Sequence, residues 1–202
     1  MKILDFDRDF ETIKCLICGG EVICSPTDTQ FGLIGNALDT DAVEKVYKIK
    51  KRDPEKPLII LFDSVARIKK YGIIIPKKYE DFLRKIWPER LTVILPLEEN
   101  SPLKAVFNRD NIAVRIPKHE KLRKLIKETV PVFAPSANIQ SEKPATTCKE
   151  CKKYFENPIS YCIEGKCSST PSTIISLSPD NINLIREGAV PFSTVEKLTK
   201  EI

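Results

Sequence analysis

Cations, hydroxyls and amides recur at the ends of apolar runs in this chain, and those types suit the capture and reaction of anions. The first group is Ser25-Pro26-Thr27-Asp28-Thr29-Gln30-Phe31-Gly32-Leu33, after the apolar run Val22-Ile23-Cys24. Pro26 lacks an N–H, Gly32 favours a turn, and Thr and Asp side chains compete for the backbone, so the stretch reads as a loop. The second group is Lys50-Lys51-Arg52-Asp53-Pro54-Glu55-Lys56-Pro57. Lys50 and Arg52 can meet one anion only if a helix ends between them, and Pro54 disfavours helix at Asp53. Cations there also serve simply to complement a helix dipole in water. In Asn111-Ile112-Ala113-Val114-Arg115-Ile116, strand alternation puts Ala113 and Arg115 on one face and the three branched residues on the other. A guanidinium fork beside a small residue suits a carboxylate or phosphate, and an internal Asp or Glu partner would occupy it equally well. Ala134-Pro135-Ser136-Ala137-Asn138 combines small residues that admit a ligand to the backbone with a hydroxyl and an amide, or is a plain turn. Ser172-Thr173 and Arg186-Glu187-Gly188 place further polar groups at the edges of apolar runs.

What is missing narrows the chemistry. No G-x-x-x-x-G-K-[ST] loop is present, because Gly165-Lys166 lacks the upstream glycine, and no G-x-G-x-x-G follows a strand. His119 is the only histidine, which leaves serine-histidine and zinc-protease mechanisms little to draw on. A nucleotide would have to be held by scattered Lys, Arg, Ser and Asn. Seven cysteines without a secretion signal are expected to be thiols. Cys15-x-x-Cys18 and Cys148-x-x-Cys151, with Cys162 and Cys167 following, have metal-like spacing but sit in helical stretches rather than glycine-rich knuckles. No tightly bound, protein-ligated metal is expected from them.

The elements that must position these groups alternate. Helices are predicted over 6–18, 41–50, 64–71, 78–87, 119–129, 146–155 and from 194 onward. Strands are predicted near Val22 and over 58–62, 91–95, 111–116, 130–133, 160–163, 172–177 and 182–186. Such alternation predicts an α/β fold in which one large, twisted, mixed sheet is flanked by helices. A length of 202 residues with 42% hydrophobic content predicts one domain over 1–202. The net charge of +5 favours anionic partners, although it is spread along the chain. Residues 1–14 lack the apolar core of a secretory signal, and no run approaches membrane-spanning length, so a cytoplasmic location is expected.

Seven collinear pieces resemble the YrdC/TsaC family of threonylcarbamoyl-adenylate synthases. They are Pro26-Thr27-Asp28-Thr29-Gln30-Phe31-Gly32-Leu33, Lys50-x-Arg52 with Pro57-Leu58, Trp87-Pro88 with Leu91-Thr92, and Val114-Arg115-Ile116-Pro117, then Ser136-Ala137-Asn138, Ser172-Thr173, and Arg186-x-Gly188. The resemblance implies an open twisted sheet with a basic concave face. It also implies a nucleotidyltransferase reaction that joins L-threonine, bicarbonate and ATP into threonylcarbamoyl-AMP with release of pyrophosphate, for modification of tRNA position 37. By motif, Thr29, Arg115 and Ser172 would hold threonine. Lys50, Arg52, Lys56, Asn111, Ser136, Asn138 and Arg186 would hold ATP, with Lys50 and Arg52 as the catalytic cations. Mg2+ would arrive with the triphosphate, downstream threonylcarbamoyl-transfer machinery would take the product, and contact with tRNA is a further expected partnership.

The chain departs from the family pattern at Phe31, where a Tyr is usual, at Leu61, where longer relatives have a His, and at Glu89-Arg90, where Gly-Pro is usual. Gln140-Ser141-Glu142 interrupts the usual Ser-Gly, and the end at Ile202 implies that the second domain of the long form is absent. Two rival readings are an RNA-binding module with a basic concave face and a carbamoyl-adenylating relative. The latter lacks its usual zinc-finger and acylphosphatase segments here.

Overall fold

A computed structural model of the protein describes residues 1–139 and 142–200, so the interruption at Gln140-Ser141 lies outside the described residues. Ten strands form a single sheet: β1 (Lys2–Leu4), β2 (Ile23–Ser25), β3 (Gly32–Asn36), β4 (Ile59–Leu61), β5 (Leu91–Pro96), β6 (Asn111–Arg115), β7 (Val132–Phe133), β8 (Tyr161–Ile163), β9 (Thr173–Leu177) and β10 (Ile182–Arg186). Their order is β1-β8-β2-β3-β7-β4-β6-β5-β9-β10. β4 pairs in parallel with β6 and β5 with β9, while β2–β3, β5–β6, β4–β7 and β9–β10 are antiparallel. The mixed sheet expected from the alternation is therefore present.

The helices are α1 (Phe10–Cys18), α2 (Thr40–Lys50), α3 (Val65–Lys70), α4 (Glu80–Ile86), α5 (Pro102–Phe107), α6 (Glu120–Glu128), α7 (Cys148–Phe155) and α8 (Phe192–Lys200). Strand alternation divides the core into two layers. Leu33, Ile60, Val93, Val114 and Phe133 pack on one face with Val46 of α2, Phe82 of α4 and Phe155 of α7. Ile23, Ile34, Leu61 and Val132 pack on the other face with Ile13 of α1 and Leu125 of α6. That second layer takes nothing from β5, β6, β9 or β10, so this part of the sheet face is left open between loops.

Three elements escaped the sequence reading. β1 and α5 are short, and β3 opens on a glycine directly after the Pro26–Phe31 loop. Gly35 in β3 faces the ring of Phe133, whose Cζ would stand 2.4 Å from a Cβ placed there, so close strand packing rather than hydrophobic alternation defines this strand.

The expectation of seven free thiols is corrected. Cys148 and Cys162 are joined in a disulfide with their Cα atoms 5.8 Å apart, a spacing that a disulfide requires. Cys15, Cys18, Cys24, Cys151 and Cys167 are free.

Candidate active site

The open part of the sheet is the floor of a cavity of about 300 Å3, formed by Ile59, Ile94, Ala113, Arg115 and Ile174. The alternation read from β6 holds: Ala113 and Arg115 face the cavity, while Ile112, Val114 and Ile116 belong to the core. Thr29, Arg52, Lys56, Ser136, Ser172 and Arg186 complete the expected set that lines it. Arg52, Lys56, Arg115 and Arg186 are the charged residues among the described lining, so all of its formal charge is positive. Lys50, Asn138 and Asn111 were expected at the nucleotide but do not line the cavity, and Asn111 is exposed at the other end of β6 from Arg115.

Local structure explains each placement. Helix α2 ends at Lys50, and Lys51 takes a left-handed backbone with φ 49° and ψ 40° as its C-cap. The helix thus stops between Lys50 and Arg52, and the two side chains are free to take different jobs. Arg52 donates through Nη2 to the Pro57 carbonyl at 3.0 Å, on the rim. Lys50 is buried, and its Nζ donates to the carbonyls of Ser136 and, at 2.6 Å, Asn138, and to Asn138 Oδ1 at 3.0 Å. Ser136 Oγ also donates to Asn138 Oδ1, at 2.7 Å. Lys50 therefore pins the Ser136–Asn138 turn from behind. Burial, and secondarily the Arg52 charge, bring its pKa down to about 7.

That turn is laced to the threonine-rich loop. Leu33 donates to the Pro135 carbonyl at 2.9 Å, and Ala137 donates to the Phe31 carbonyl at 2.7 Å. Across the cavity, Arg186 Nη2 donates to the Ser172 carbonyl at 2.8 Å, and Ser172 and Thr92 share a hydroxyl hydrogen bond of 2.9 Å. Arg115 reaches Thr29 Oγ1 at 3.3 Å, and Thr29 and Thr27 hydroxyls lie 3.1 Å apart.

Asp28 and Thr92 had no assigned role from the sequence. Asp28 is the internal acidic partner that the strand pattern left open for Arg115: Oδ1 stands 3.1 Å from Arg115 Nη2, with both side chains almost fully buried. Its other oxygen accepts from the Lys118 N–H at 3.0 Å. The signal was a carboxylate next to Thr29 and an arginine in an apolar strand without an evident partner. Burial pulls the Arg115 pKa down while Asp28 pulls it up, and a guanidinium stays charged under those opposing influences. Arg115 Nε has no hydrogen-bond partner among the described residues, so a buried donor is available beside the cavity. His119 plays no part in the lining: its Nδ1 accepts from the Leu122 N–H at 3.2 Å as the N-cap of α6.

Residues 15–188 match the Sua5/YciO/YrdC family, whose description reads telomere recombination. The chain belongs to the Sua5/YciO/YrdC family. It is 34% identical over 186 residues to a Pyrococcus abyssi protein named threonylcarbamoyl-AMP synthase, covering 91% of this chain and 55% of that one. A Methanocaldococcus jannaschii relative is 37% identical over 203 aligned positions, covering 98% of this chain and 90% of its own length. The crystal structure of P. abyssi Sua5 complexed with L-threonine superposes with a TM-score of 0.89 at 32% identity, covering 100% of this chain and 62% of that one. The chain thus spans little more than half of the P. abyssi relative.

Proposed function

We propose that the chain is an L-threonylcarbamoyladenylate synthase. In this reaction the threonine amine adds to bicarbonate to give a carbamate and water. A carbamate oxygen then attacks the α-phosphorus of ATP, and the bond to the β-phosphate oxygen breaks to release pyrophosphate. The observation that carries this reading is the convergence of Arg52, Lys56, Arg115 and Arg186, from three separate segments, on one open sheet face beside the hydroxyls of Thr29, Ser136 and Ser172. The names borne by the P. abyssi relatives point the same way.

The residue types match what the chemistry needs. A carboxylate, a carbamate and a triphosphate repel one another, so fixed positive charge and positioning supply most of the acceleration. Arg115 takes the threonine carboxylate, with Thr29 and Ser172 on its flanks. Arg52, Lys56 and Arg186 hold the phosphates, Ser136 reaches the nucleotide, and Lys50 acts through the Ser136–Asn138 turn as a positioning residue. No carboxylate lines the cavity among the described residues, so Mg2+ would be carried in by triphosphate oxygens and neutralise part of their charge. Asn111 is left without a role. One domain over 1–202 carries all of these groups, and delivery of the adenylate to tRNA-modifying machinery belongs to the same proposal.

The test is pyrophosphate release from ATP and bicarbonate with and without L-threonine. Threonine-dependent release is expected. Release indifferent to threonine, or salt-sensitive RNA binding without turnover, would overturn the assignment.

A further inference from the structure

The cysteines do not group as their spacing suggests. Cys15 and Cys18 are exposed on α1, whereas Cys148 and Cys151 of α7 meet Cys24 of β2 and Cys162 of β8. Cys24 and Cys162 are paired across the parallel strands β2 and β8. The sulfurs of Cys24, Cys151 and Cys162 lie within 4.8 Å of one another, and all three residues are fully buried. The Cys148 sulfur is bonded to that of Cys162, and Cys24 and Cys151 stand beside that bond as buried free thiols.

We propose that Cys24, Cys148, Cys151 and Cys162 form a tetrathiolate site for one zinc ion. The proposal departs from the sequence expectation that the cysteines hold no metal. A tetrahedral centre with Zn–S bonds of about 2.3 Å separates its sulfurs by roughly 3.8 Å, so three of the four donors already stand within about 1 Å of the required spacing. The donor set is entirely soft sulfur, which favours zinc over the hard cations. Two donors, Cys148 and Cys151, stand three residues apart on α7, a spacing that puts both on one face of the helix.

Loading requires the Cys148–Cys162 bond to open. Two electrons from a thiol reductant, which is itself oxidised to a disulfide, convert the bond into two thiols. The four thiols then release four protons as four Zn–S bonds form. The site would brace the two segments that form one side of the cavity. Cys24 immediately precedes the loop bearing Thr29, and α7 follows the turn bearing Ser136, to which it is linked by the Ala145 N–H donating to the Ala137 carbonyl at 2.9 Å. The inference stands on these cysteines alone and does not rest on the proposed reaction.

The test uses the full chain, purified with a thiol reductant and no chelator. Elemental analysis should find about one zinc per chain. Replacing zinc with Co2+ should give the sulfur-to-metal charge-transfer and d–d absorption of tetrahedral cobalt thiolates. Cys24→Ser and Cys151→Ser should each bind less than about one-tenth of an equivalent, while the Cys15→Ser/Cys18→Ser double variant should keep the metal. Where a variant fails to fold, the cobalt spectrum of the unaltered chain decides. Absence of zinc together with absence of the charge-transfer bands in the reduced protein would overturn the proposal. Retention of full metal in a folded Cys151→Ser variant, or a Cys148–Cys162 disulfide that survives the reductant, would do so too.

Discussion

At the scale of single residues, the Arg115–Asp28 pair joins stability to recognition. Removing one member of a buried ion pair leaves the other charge stranded, at a cost of about 3–5 kcal/mol. Arg115→Ala should therefore lower the unfolding free energy by that amount as well as weaken threonine binding. Asp28→Asn/Arg115→Gln keeps polar groups at both positions and strands no charge. Its stability should recover toward the parent while its threonine KM stays raised at least about tenfold, the value of a charge-assisted hydrogen bond. Urea titrations and threonine saturation curves on both variants separate the two effects. Lys50 gives a second reading at this scale. Its pKa falls from 10.5 to about 7 in the folded chain, so the unfolded chain binds a proton that the folded one has released between those values. The unfolding free energy should rise with pH across that window, and Lys50→Met should remove this part of the slope. Urea midpoints at pH 7, 8 and 9 measure the difference.

At the scale of elements, Gly188 fixes how β10 closes over the site. A Cβ there would lie 2.4 Å from the Pro171 carbonyl oxygen and 2.6 Å from the Ser172 carbonyl, both backbone groups that cannot swing aside. The close approach lets the Gly188 N–H donate to Thr173 Oγ1 at 2.9 Å and the Ala189 N–H donate to the Pro171 carbonyl at 2.9 Å. Gly188→Ala should destabilise the fold by about 1–3 kcal/mol through overpacking and shift Arg186 from the Ser172 carbonyl. ATP affinity should fall with it, as calorimetry would show, while threonine affinity changes less. Most elements were legible because their apolar periods are long, as in α2 and α6, or unbroken, as in β4. β3 was not, since Gly32 and Gly35 replace the side chains that signal a strand. The convergence on Arg115 was legible from β6 alternation, but its pairing with Asp28 was not, because strand order brings together residues far apart in sequence. The cysteine grouping failed for the same reason: spacing put Cys148, Cys151 and Cys162 together but set them beside Cys15 and Cys18, and only the β2–β8 pairing could bring in Cys24.

At the scale of the molecule, charge placement matters more than net charge. The chain carries +5 overall, and several surface cations are matched by a nearby carboxylate, as Lys14 is with Glu128, Lys45 with Glu21 and Lys121 with Asp7. The cavity differs, because Arg52, Lys56 and Arg186 line it without a carboxylate among the described lining residues, and Arg115 has its acid buried beneath it. Two kinds of electrostatic contact therefore coexist in one site. Phosphates at the rim would meet solvent-accessible cations, which salt screens over about 8–10 Å, whereas a threonine carboxylate would meet a guanidinium that is almost fully buried and screened far less. Raising the salt from about 0.05 to 0.5 M should weaken ATP binding several-fold more than threonine binding, because only the first draws on screened charge. Isothermal calorimetry with each ligand at both salt concentrations checks this, and equal salt dependence would place both ligands on the rim.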